Sequence, residues 1–469
     1  MNTSIVWLRD DLRVADNPAM SAAIETGNPV LAIYILDEVS EGIRPLGSAT
    51  KWWLHASLES LAYRIERLGG RLILRRGKAH DILRDVIRDS QATSIFWNRR
   101  YGLAERNHDA SIKEYARASG LEAKSFAANL LHEPWTIRTG GGTPYTVFTP
   151  FWKSCLNQLT PPRAPLPAPT AMTAFAGEID SDDLGSWELR PTSPNWAMGF
   201  GYRWTVGEQG AHAALERFVS ERLSDYAVGR DEPAKYTTSE LSPHLRFGEI
   251  SPFQIWERIE QVKQDANAEL LKNSAKFLAE VGWREFSYHL LFHWPDLATV
   301  NFDARFNAFP WAAPEPEVLR AWQQGETGIP LVDAGMRELW QTGYMHNRVR
   351  MVAASFLIKN LLIDWRVGEA WFWDTLVDAD AASNAASWQW VAGSGADAAP
   401  YFRVFNPVLQ AEKFDGQGHY LHKYLGDYEL GELAGYPEPI VDLKETRDRA
   451  LEAFSTVQKL PRDIRPPVS

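Results

Sequence analysis

The first 130 residues alternate short apolar, β-branched runs with longer stretches of helical periodicity. The strand candidates are Ser4–Leu8, Val30–Leu36, Leu72–Leu74 and Thr93–Trp97, and the helix candidates between them include Trp52–Leu68 and Asp81–Arg88. Such alternation predicts βαβ units and a parallel, doubly wound sheet. The Gly-rich fingerprint of dinucleotide-binding domains does not follow the first strand, so we expect a Rossmann-like domain that does not bind NAD in the usual way.

From Glu208 onward the apolar positions follow a helical period, and strand-like alternation is scarce. One helical face is formed by Leu215, Phe218, Val219 and Leu223, and another by Val332, Met336, Leu339 and Trp340. This pattern predicts an all-α second domain.

A proline-rich run, Pro161–Pro169, separates the two regions and is followed by small and acidic residues as far as Gly185. Its composition is typical of a linker that crosses the surface. We therefore predict an α/β domain over residues 1–130, a linker over 131–205 and a helical domain over 206–469.

Composition limits the possible functions. A chain of 469 residues suits two domains and can enclose a large cofactor. No apolar run is long enough to cross a membrane, and the start lacks a signal peptide, so we expect a cytoplasmic protein. Cys155 is the only cysteine, which excludes an intramolecular disulfide and a cysteine-ligated iron–sulfur cluster within one chain. The net charge of −11 argues against indiscriminate nucleic-acid binding, so any DNA contact needs a local basic face.

The segment Asp374–Asp415 combines carboxylates, an amide and indoles that packing alone does not require, namely Asp378, Asp380, Asn384, Trp388 and Trp390. Other distinctive strings are IVWLRDDLRVADNPAM, TTSELSPHLRFGEIS, FLAEVGWREFSYHL and MHNRVRM. In these motifs, and in their order along most of the chain, the sequence resembles the DNA photolyase family. The resemblance implies a Rossmann-like α/β domain followed by an all-α domain that binds FAD.

The implied flavin site depends on two segments. Asn347 and Arg350 lie three residues apart and so face one side of a helix. By resemblance, Arg350 pairs with Asp378 beside the isoalloxazine, Asp380 accepts a hydrogen bond from the ring, and Asn384 faces N5. A neutral amide suits a reduced, anionic flavin, since its two ends can donate or accept. The implied FAD-binding residues are Tyr226, Arg230, Thr238, Ser239, Leu241, Ser242, Arg284, Asn347, Arg350, Asp378, Asp380 and Asn384. Taken singly, the Thr238 loop and the carboxylates have an alternative role as helix caps.

The substrate side resembles that of enzymes that repair cyclobutane pyrimidine dimers (CPDs). Glu280 is expected to bind the 5′ thymine and stabilise its radical anion, Trp283 and Trp390 to stack on the dimer, and Met351 to fill the floor. The implied DNA contacts are Arg230, Glu280, Trp283, Asn347, Arg348, Met351, Trp390, Arg403 and Gln410. Repair of the (6-4) lesion is disfavoured, because MHNRVRM lacks the His pair associated with that chemistry.

Tryptophans supply a further functional pattern. By resemblance, Trp388, Trp365 and Trp311 form, from the flavin outward, a chain for photoreduction. A second path through Trp340, Trp371 and Trp373 is an alternative to core packing, which we favour for these three. His289 and His293 stand four apart and could ligate a metal, but without acidic or cysteine company we expect structural imidazoles and no metal.

The implied function is that of a photolyase, a carbon–carbon lyase that uses reduced FAD and blue light to repair UV-damaged DNA. Asn384 favours repair over signalling, since cryptochromes carry Asp or Cys there; a cryptochrome-type photoreceptor is the alternative. The motifs indicate a bacterial CPD photolyase, with class III suggested. Glu105 matches a residue that binds a methenyltetrahydrofolate antenna, although Ala104 departs from that pattern, so a deazaflavin or an empty site stays open. We expect a monomer without an obligate protein partner.

Overall fold

The structure, a computed structural model, describes residues 2–158, 162–398, 402–426 and 436–468. Its α/β domain contains a five-stranded parallel sheet of order β3-β2-β1-β4-β5. The strands are β1 (Thr3–Leu8), β2 (Val30–Leu36), β3 (Leu72–Arg76), β4 (Ala92–Asn98) and β5 (Glu122–Phe126). The sequence did not predict β5, because EAKSF is a polar edge strand with no fully buried residue.

Helices cover both faces of this sheet: α1 (Pro18–Glu25), α2 (Ser48–Arg67), α3 (Ala79–Ser90) and α4 (Leu103–Ala118). Successive residues of a strand point to opposite faces. Val6 accordingly packs in one cluster with Met20 and Leu58 of α1 and α2, while Trp7 packs with Leu83 of α3 on the other face. The predicted doubly wound sheet is confirmed.

After β5 the regular elements of the described chain are helices, which confirms the helical region predicted from Glu208 onward. These helices are α5 (Phe148–Leu156), α6 (Phe200–Arg203), α7 (Glu208–Arg217), α8 (Tyr226–Gly229), α9 (Ser242–Arg246), α10 (Pro252–Gln264), α11 (Ala268–His293), α12 (Pro316–Gln324), α13 (Pro330–Thr342), α14 (Asn347–Ser355), α15 (Trp365–Thr375), α16 (Ser383–Ala392), α17 (Pro407–Phe414), α18 (His419–Leu425) and α19 (Leu443–Gln458). None of the helices in the described ranges has the length and apolar character needed to span a membrane.

Residues 131–205, predicted as the interdomain linker, contain buried side chains. Phe151 and Cys155 of α5 are buried in the helical core, while Met172 and Trp187 are buried against the α/β domain. The sequence analysis did not predict this burial, because these few large apolar side chains lie among proline-rich and acidic residues. Pro161, which begins the proline-rich run, lies outside the described residues. The exact domain boundaries remain a prediction.

Candidate functional site

A cavity of about 580 Å³ lies within the helical domain, between α8, α9, α11, α14, α16 and the segment that precedes α16. Its volume falls within the ~300–1,000 Å³ that is typical of ligand and cofactor sites. Seventeen residues singled out in the sequence line it: Tyr226, Arg230, Ser239, Leu241, Ser242, Glu280, Trp283, Arg284, Asn347, Arg348, Arg350, Met351, Asp378, Asp380, Asn384, Trp388 and Trp390. The structure thus brings the candidate flavin and substrate residues to one cavity.

Arg350 and Asp378 form a two-point ion pair at the cavity wall. Arg350 Nη1 donates to Asp378 Oδ1 at 3.1 Å, and Nη2 donates to Oδ2 at 2.9 Å. Ser242 Oγ also donates to Asp378 Oδ2, at 2.7 Å, so the loop before α9 is joined to the same carboxylate. Because both partners are fixed by parallel hydrogen bonds, the pair presents a rigid charged surface to a ligand.

Asp380 makes different contacts from those of Asp378. Its Oδ1 accepts from the backbone N–H groups of Ala382 at 3.0 Å and Ser383 at 2.7 Å, so it caps the start of α16. Its Oδ2 accepts from the Tyr288 hydroxyl at 2.5 Å. Burial, reinforced by the Asp380 charge, raises the pKa of Tyr288 well above its usual value, which keeps the phenol a donor. The helix-cap alternative therefore describes part of what Asp380 does, although the residue also lines the cavity.

Asn384, in the first turn of α16, is held from behind by Glu369 of α15. Its Nδ2 donates to the Glu369 backbone oxygen at 3.0 Å and to Glu369 Oε1 at 2.9 Å. Glu369 is itself held by Arg44 of the α/β domain, at 2.8 Å and 2.9 Å. Since Nδ2 is engaged in this way, Oδ1 is the end of the amide that remains for a ligand in the cavity.

Only some residues of the loop before α9 line the cavity. Tyr226 is buried between Phe218 and Phe277, with ring centroids 5.4 Å and 5.5 Å away. Ser239 and Ser242 line the cavity, whereas the described wall does not include Thr238. The Thr238 carbonyl oxygen instead accepts from Arg222 Nη1 at 2.9 Å. The hydroxyl-rich motif could not reveal this difference, because residue type alone does not show which side chains of a loop face a cavity.

On the substrate side, Glu280 is already engaged with two cations. It pairs with Arg230 and, at 3.3 Å, with Lys276 one turn earlier on α11. Trp283 is stacked on Phe148 of α5, with 3.8 Å between ring centroids and 9° between planes. The cavity therefore has a carboxylate and a fixed indole on adjacent turns of one helix.

Two further residues on the substrate side of the cavity, Met351 and Trp390, also make hydrogen bonds. Met351 Sδ accepts a weak hydrogen bond from Asn347 Nδ2 at 3.9 Å. Trp390 Nε1 donates to the Asp397 backbone oxygen at 3.1 Å. These contacts fix aromatic and thioether groups at the wall without using their apolar faces.

Six candidate residues lie away from the large cavity. Thr238 is described above, Trp365 belongs to the core, and Trp311 packs at the edge of the core. Arg403 lines a small cavity of about 30 Å³ behind Trp390, and Gln410 lines an open groove of about 430 Å³ beside Arg348. Glu105 lines a separate cavity of about 120 Å³ between the domains, together with Arg100.

The predicted tryptophan chain runs through one hydrophobic cluster. Trp388 is 2% exposed and lines the cavity, Trp365 is fully buried, and Trp311 is partly exposed at the edge of the cluster. Trp365 Nε1 donates to Asn301 Oδ1 at 2.9 Å. The outermost member, Trp311, is thus the most exposed of the three, as a path to the surface requires. The sequence did not distinguish Trp322, whose ring centroid lies 6.3 Å from that of Trp388.

The second group of tryptophans is not explained by core packing alone. Trp373 is buried, but Trp340 is 49% exposed. Trp340 and Trp371 are parallel, with 6.4 Å between ring centroids and 5° between planes. The core-packing interpretation therefore suits Trp373 and does not suit Trp340.

His289 and His293 have protein partners. His289 Nδ1 is 3.2 Å from the Pro134 backbone oxygen, and its Nε2 accepts from the Tyr145 N–H at 3.1 Å. Burial, with His293 as the second cause, lowers the pKa of His289 to about 3, so the ring is neutral. Within the described ranges, no group of three or more His, Cys, Asp or Glu residues is arranged to hold a metal.

Sequence reasoning missed several residues that support the site, notably Arg44, Glu369, Tyr288, Lys276 and Phe148. Lys276 and Tyr288 carry a usable signal, because they lie four residues before Glu280 and eight after it on the same helix. Arg44 carries none, since 325 residues separate it from Glu369.

Comparisons with known proteins agree with this geometry. Residues 4–170 match the family model described as DNA photolyase, and residues 277–431 match that described as the FAD binding domain of DNA photolyase. The chain is 48% identical over 477 residues to a deoxyribodipyrimidine photo-lyase of Agrobacterium fabrum, covering 97% of this chain and 98% of that relative. It is 36% identical over 499 residues to Cryptochrome-1 of Arabidopsis thaliana, covering 97% of this chain and 71% of that relative. The crystal structure of a bacterial class III photolyase from Agrobacterium tumefaciens aligns with a TM-score of 0.93 at 47% identity, over 98% of each chain.

Proposed function

The chain belongs to the photolyase/cryptochrome family, and on that premise we propose that it is a class III photolyase, which uses FAD and blue light to repair cyclobutane pyrimidine dimers in DNA. The observation that supports repair most strongly is the shared cavity. Glu280, Trp283 and Trp390 line the same space as Asp378 and Asn384, so a substrate and a cofactor can meet there. The plant cryptochrome is the more distant relative, which favours the enzyme over the photoreceptor.

The cavity fits a flavin by volume and by chemistry. A space of about 580 Å³ combines apolar wall residues with convergent polar groups, as cofactor sites do. Arg230, Ser239 and Ser242 would hold the phosphate and ribose portion, with Tyr226, Leu241 and Arg284 around it. Asn347, Arg350, Asp378, Asp380 and Asn384 would surround the ring.

When bound and reduced, FAD supplies on excitation the electron that splits the dimer. The residues of the chain bind, orient and shield. The rigid Arg350–Asp378 pair would orient the ring, and Asn384 Oδ1 would accept a hydrogen bond at N5. With the ring bound, the buried wall around Trp388 would exclude water, which would strengthen each of these polar contacts.

Damaged DNA would be held by three kinds of group. Arg348, Arg403 and Gln410 would contact the strand outside the cavity, where phosphate contacts set position and affinity. Trp283 and Trp390 would stack on the flipped dimer, and Met351 would fill the floor. Glu280 would bind the thymine edge in place of one of its present cations. Family members of this type extrude the lesion from the duplex.

Replacing Glu280 by alanine should lower repair per absorbed photon by about tenfold, the effect of losing ~1.4 kcal/mol of stabilisation that appears only after electron injection. Affinity for dimer-containing DNA should change little, because the substitution releases Arg230 and Lys276 to contact phosphates. The measurement is repair yield at saturating DNA, together with the dissociation constant.

Glu269→Ala is the control, since this exposed carboxylate lies on the same helix, away from the cavity. It should repair like the wild type. An unchanged yield in Glu280→Ala, with FAD content intact, would contradict the role of Glu280 in the reaction.

A second, light-harvesting chromophore is proposed at the interdomain cavity. Glu105 and Arg100 lie on its wall, and a folate would use the carboxylate as an acceptor. The cavity of about 120 Å³ is smaller than a typical ligand site, so an antenna there would extend toward the surface. Methenyltetrahydrofolate is the favoured antenna and a deazaflavin the alternative. We also propose that the protein is a cytoplasmic monomer without an obligate protein partner.

A further inference from the structure

Lys359 occupies an unusual environment for an amine. It is 2% exposed and lies in a π-helical turn, Phe356–Asn360, which continues α14 without a break. Within the described ranges no carboxylate pairs with it, and the charge that acts on it is that of Arg403. Burial, with Arg403 as the second cause, lowers the pKa of Lys359 to about 7. Burying an amine in this way is costly, so a purely apolar side chain would serve packing better.

The amine is directed at one backbone segment, residues 402–406, which we call the strap. Lys359 Nζ donates to the Arg403 backbone oxygen and lies 4.3 Å from the centre of the Phe402 ring. One turn earlier, Ser355 Oγ accepts from the Phe405 N–H at 3.2 Å. One face of a single helix therefore attaches the strap at two points.

The strap connects two parts of the proposed DNA site. On one side it closes the small cavity behind Trp390, which Lys359, Phe402 and Arg403 also line. On the other side it leads into α17, which begins where Asn406 Oδ1 accepts from the N–H groups of Val408 and Leu409 at 3.0 Å and 3.2 Å.

The groove beside α17 extends the same surface. Gln410 and Lys413 of this helix line it together with Arg348 of α14. Meanwhile the first turns of α14 bring Asn347 and Met351 to the large cavity. Helix α14 and its π turn thus set the floor of the cavity, the backing of Trp390 and the position of the groove.

We propose that Lys359 is a positioning residue for lesion binding, which fastens the strap so that Trp390 and the α17 groove meet the damaged strand in a fixed arrangement. This inference rests on the proposed function. Lys359 does not line the large cavity, so it should act on affinity rather than on the photochemical step.

The test compares Lys359→Met with Lys359→Arg in the full chain carrying FAD. Methionine keeps the length of the side chain and removes the donor, while arginine keeps the donor and can use the adjoining cavity of about 30 Å³. Affinity of Lys359→Met for an oligonucleotide with one cyclobutane dimer should fall about tenfold, which is the scale of one lost buried hydrogen bond. Lys359→Arg should recover most of it. FAD content, photoreduction and repair per photon at saturating DNA should stay at wild-type values in both.

Lys444→Met is the matched control, since this lysine of α19 is exposed and distant from the cavity; it should bind like the wild type. Should Lys359→Met not fold, Ser355→Ala removes the other attachment at little cost in volume and should weaken binding about threefold. Wild-type affinity in Lys359→Met, or equal losses in the Met and Arg variants, would overturn the inference alone. If the wild-type protein bound dimer-containing and undamaged DNA with equal affinity, that result would contradict both the proposed function and this inference.

Discussion

Replacing Trp388 by phenylalanine should nearly abolish the reduction of bound, oxidised FAD by blue light in the presence of an external reductant. Trp388 is the one member of the predicted Trp388–Trp365–Trp311 chain that lines the cavity. A phenyl ring gives up an electron far less readily than an indole, so the chain would lose its first donor. Binding of FAD should survive, because phenylalanine keeps most of the packing volume, at a cost of about 1–2 kcal/mol in the free energy of unfolding. The measurement is the decay of the oxidised-flavin absorbance under illumination.

Trp322→Phe supplies the matched control. Trp322 is fully buried in the same cluster, and its ring centroid lies 6.3 Å from that of Trp388. Its replacement by phenylalanine removes the same number of atoms. It should photoreduce at the wild-type rate. Wild-type photoreduction in Trp388→Phe would contradict the predicted chain and point to the parallel rings of Trp340 and Trp371 as the route.

Replacing Asp378 by alanine should yield protein that retains little FAD and unfolds more easily. The substitution leaves the Arg350 guanidinium at the cavity wall without its carboxylate, and it also removes the acceptor of Ser242. The Asp378 side chain is 4% exposed and that of Arg350 is 24% exposed, so we expect a loss of about 3 kcal/mol, the lower end of the range for breaking a buried pair. The measurements are the ratio of FAD to protein, which should be about one per chain in the wild type, and the midpoint of denaturant unfolding.

Glu216→Ala is the control for this prediction. Glu216 makes a similar two-point pair with Arg258, at 2.8 Å and 2.9 Å, but the Glu216 side chain is 58% exposed and that of Arg258 is 30% exposed. An exposed pair contributes about 0–1 kcal/mol, so this variant should keep its FAD and lose little stability. Full FAD content in Asp378→Ala would contradict the proposed position of the ring.

Much of the α/β domain follows from the sequence, because its central strands are apolar on both faces and bounded by turns. Val30–Leu36 was predicted with the bounds that the structure shows. The edge strand β5 was missed since its residues lack such a pattern. Within residues 131–205, the burial of aromatic positions such as Phe151 was not predicted, because they are few among residues whose composition is typical of a linker.

The site was predictable where its residues belong to motifs that carry the family resemblance. Arg350 and Asp378 were assigned as a pair by resemblance, and the structure brings them to 2.9 Å. Contacts between distant segments could not be read in this way: Arg44 reaches Glu369 behind Asn384, and Lys359 reaches the strap. Such contacts depend on how the domains and helices pack, which neither periodicity nor local spacing specifies.

The most direct test of the central claim uses wild-type protein with reduced FAD and an oligonucleotide that carries one cyclobutane thymine dimer. Chromatography would measure the intact thymines formed under blue light and in darkness, with a (6-4) oligonucleotide in parallel. We predict restoration of the thymines in light alone, and for the cyclobutane dimer alone. Protein that holds FAD yet leaves the dimer unchanged in blue light would contradict the account and favour a cryptochrome-type photoreceptor.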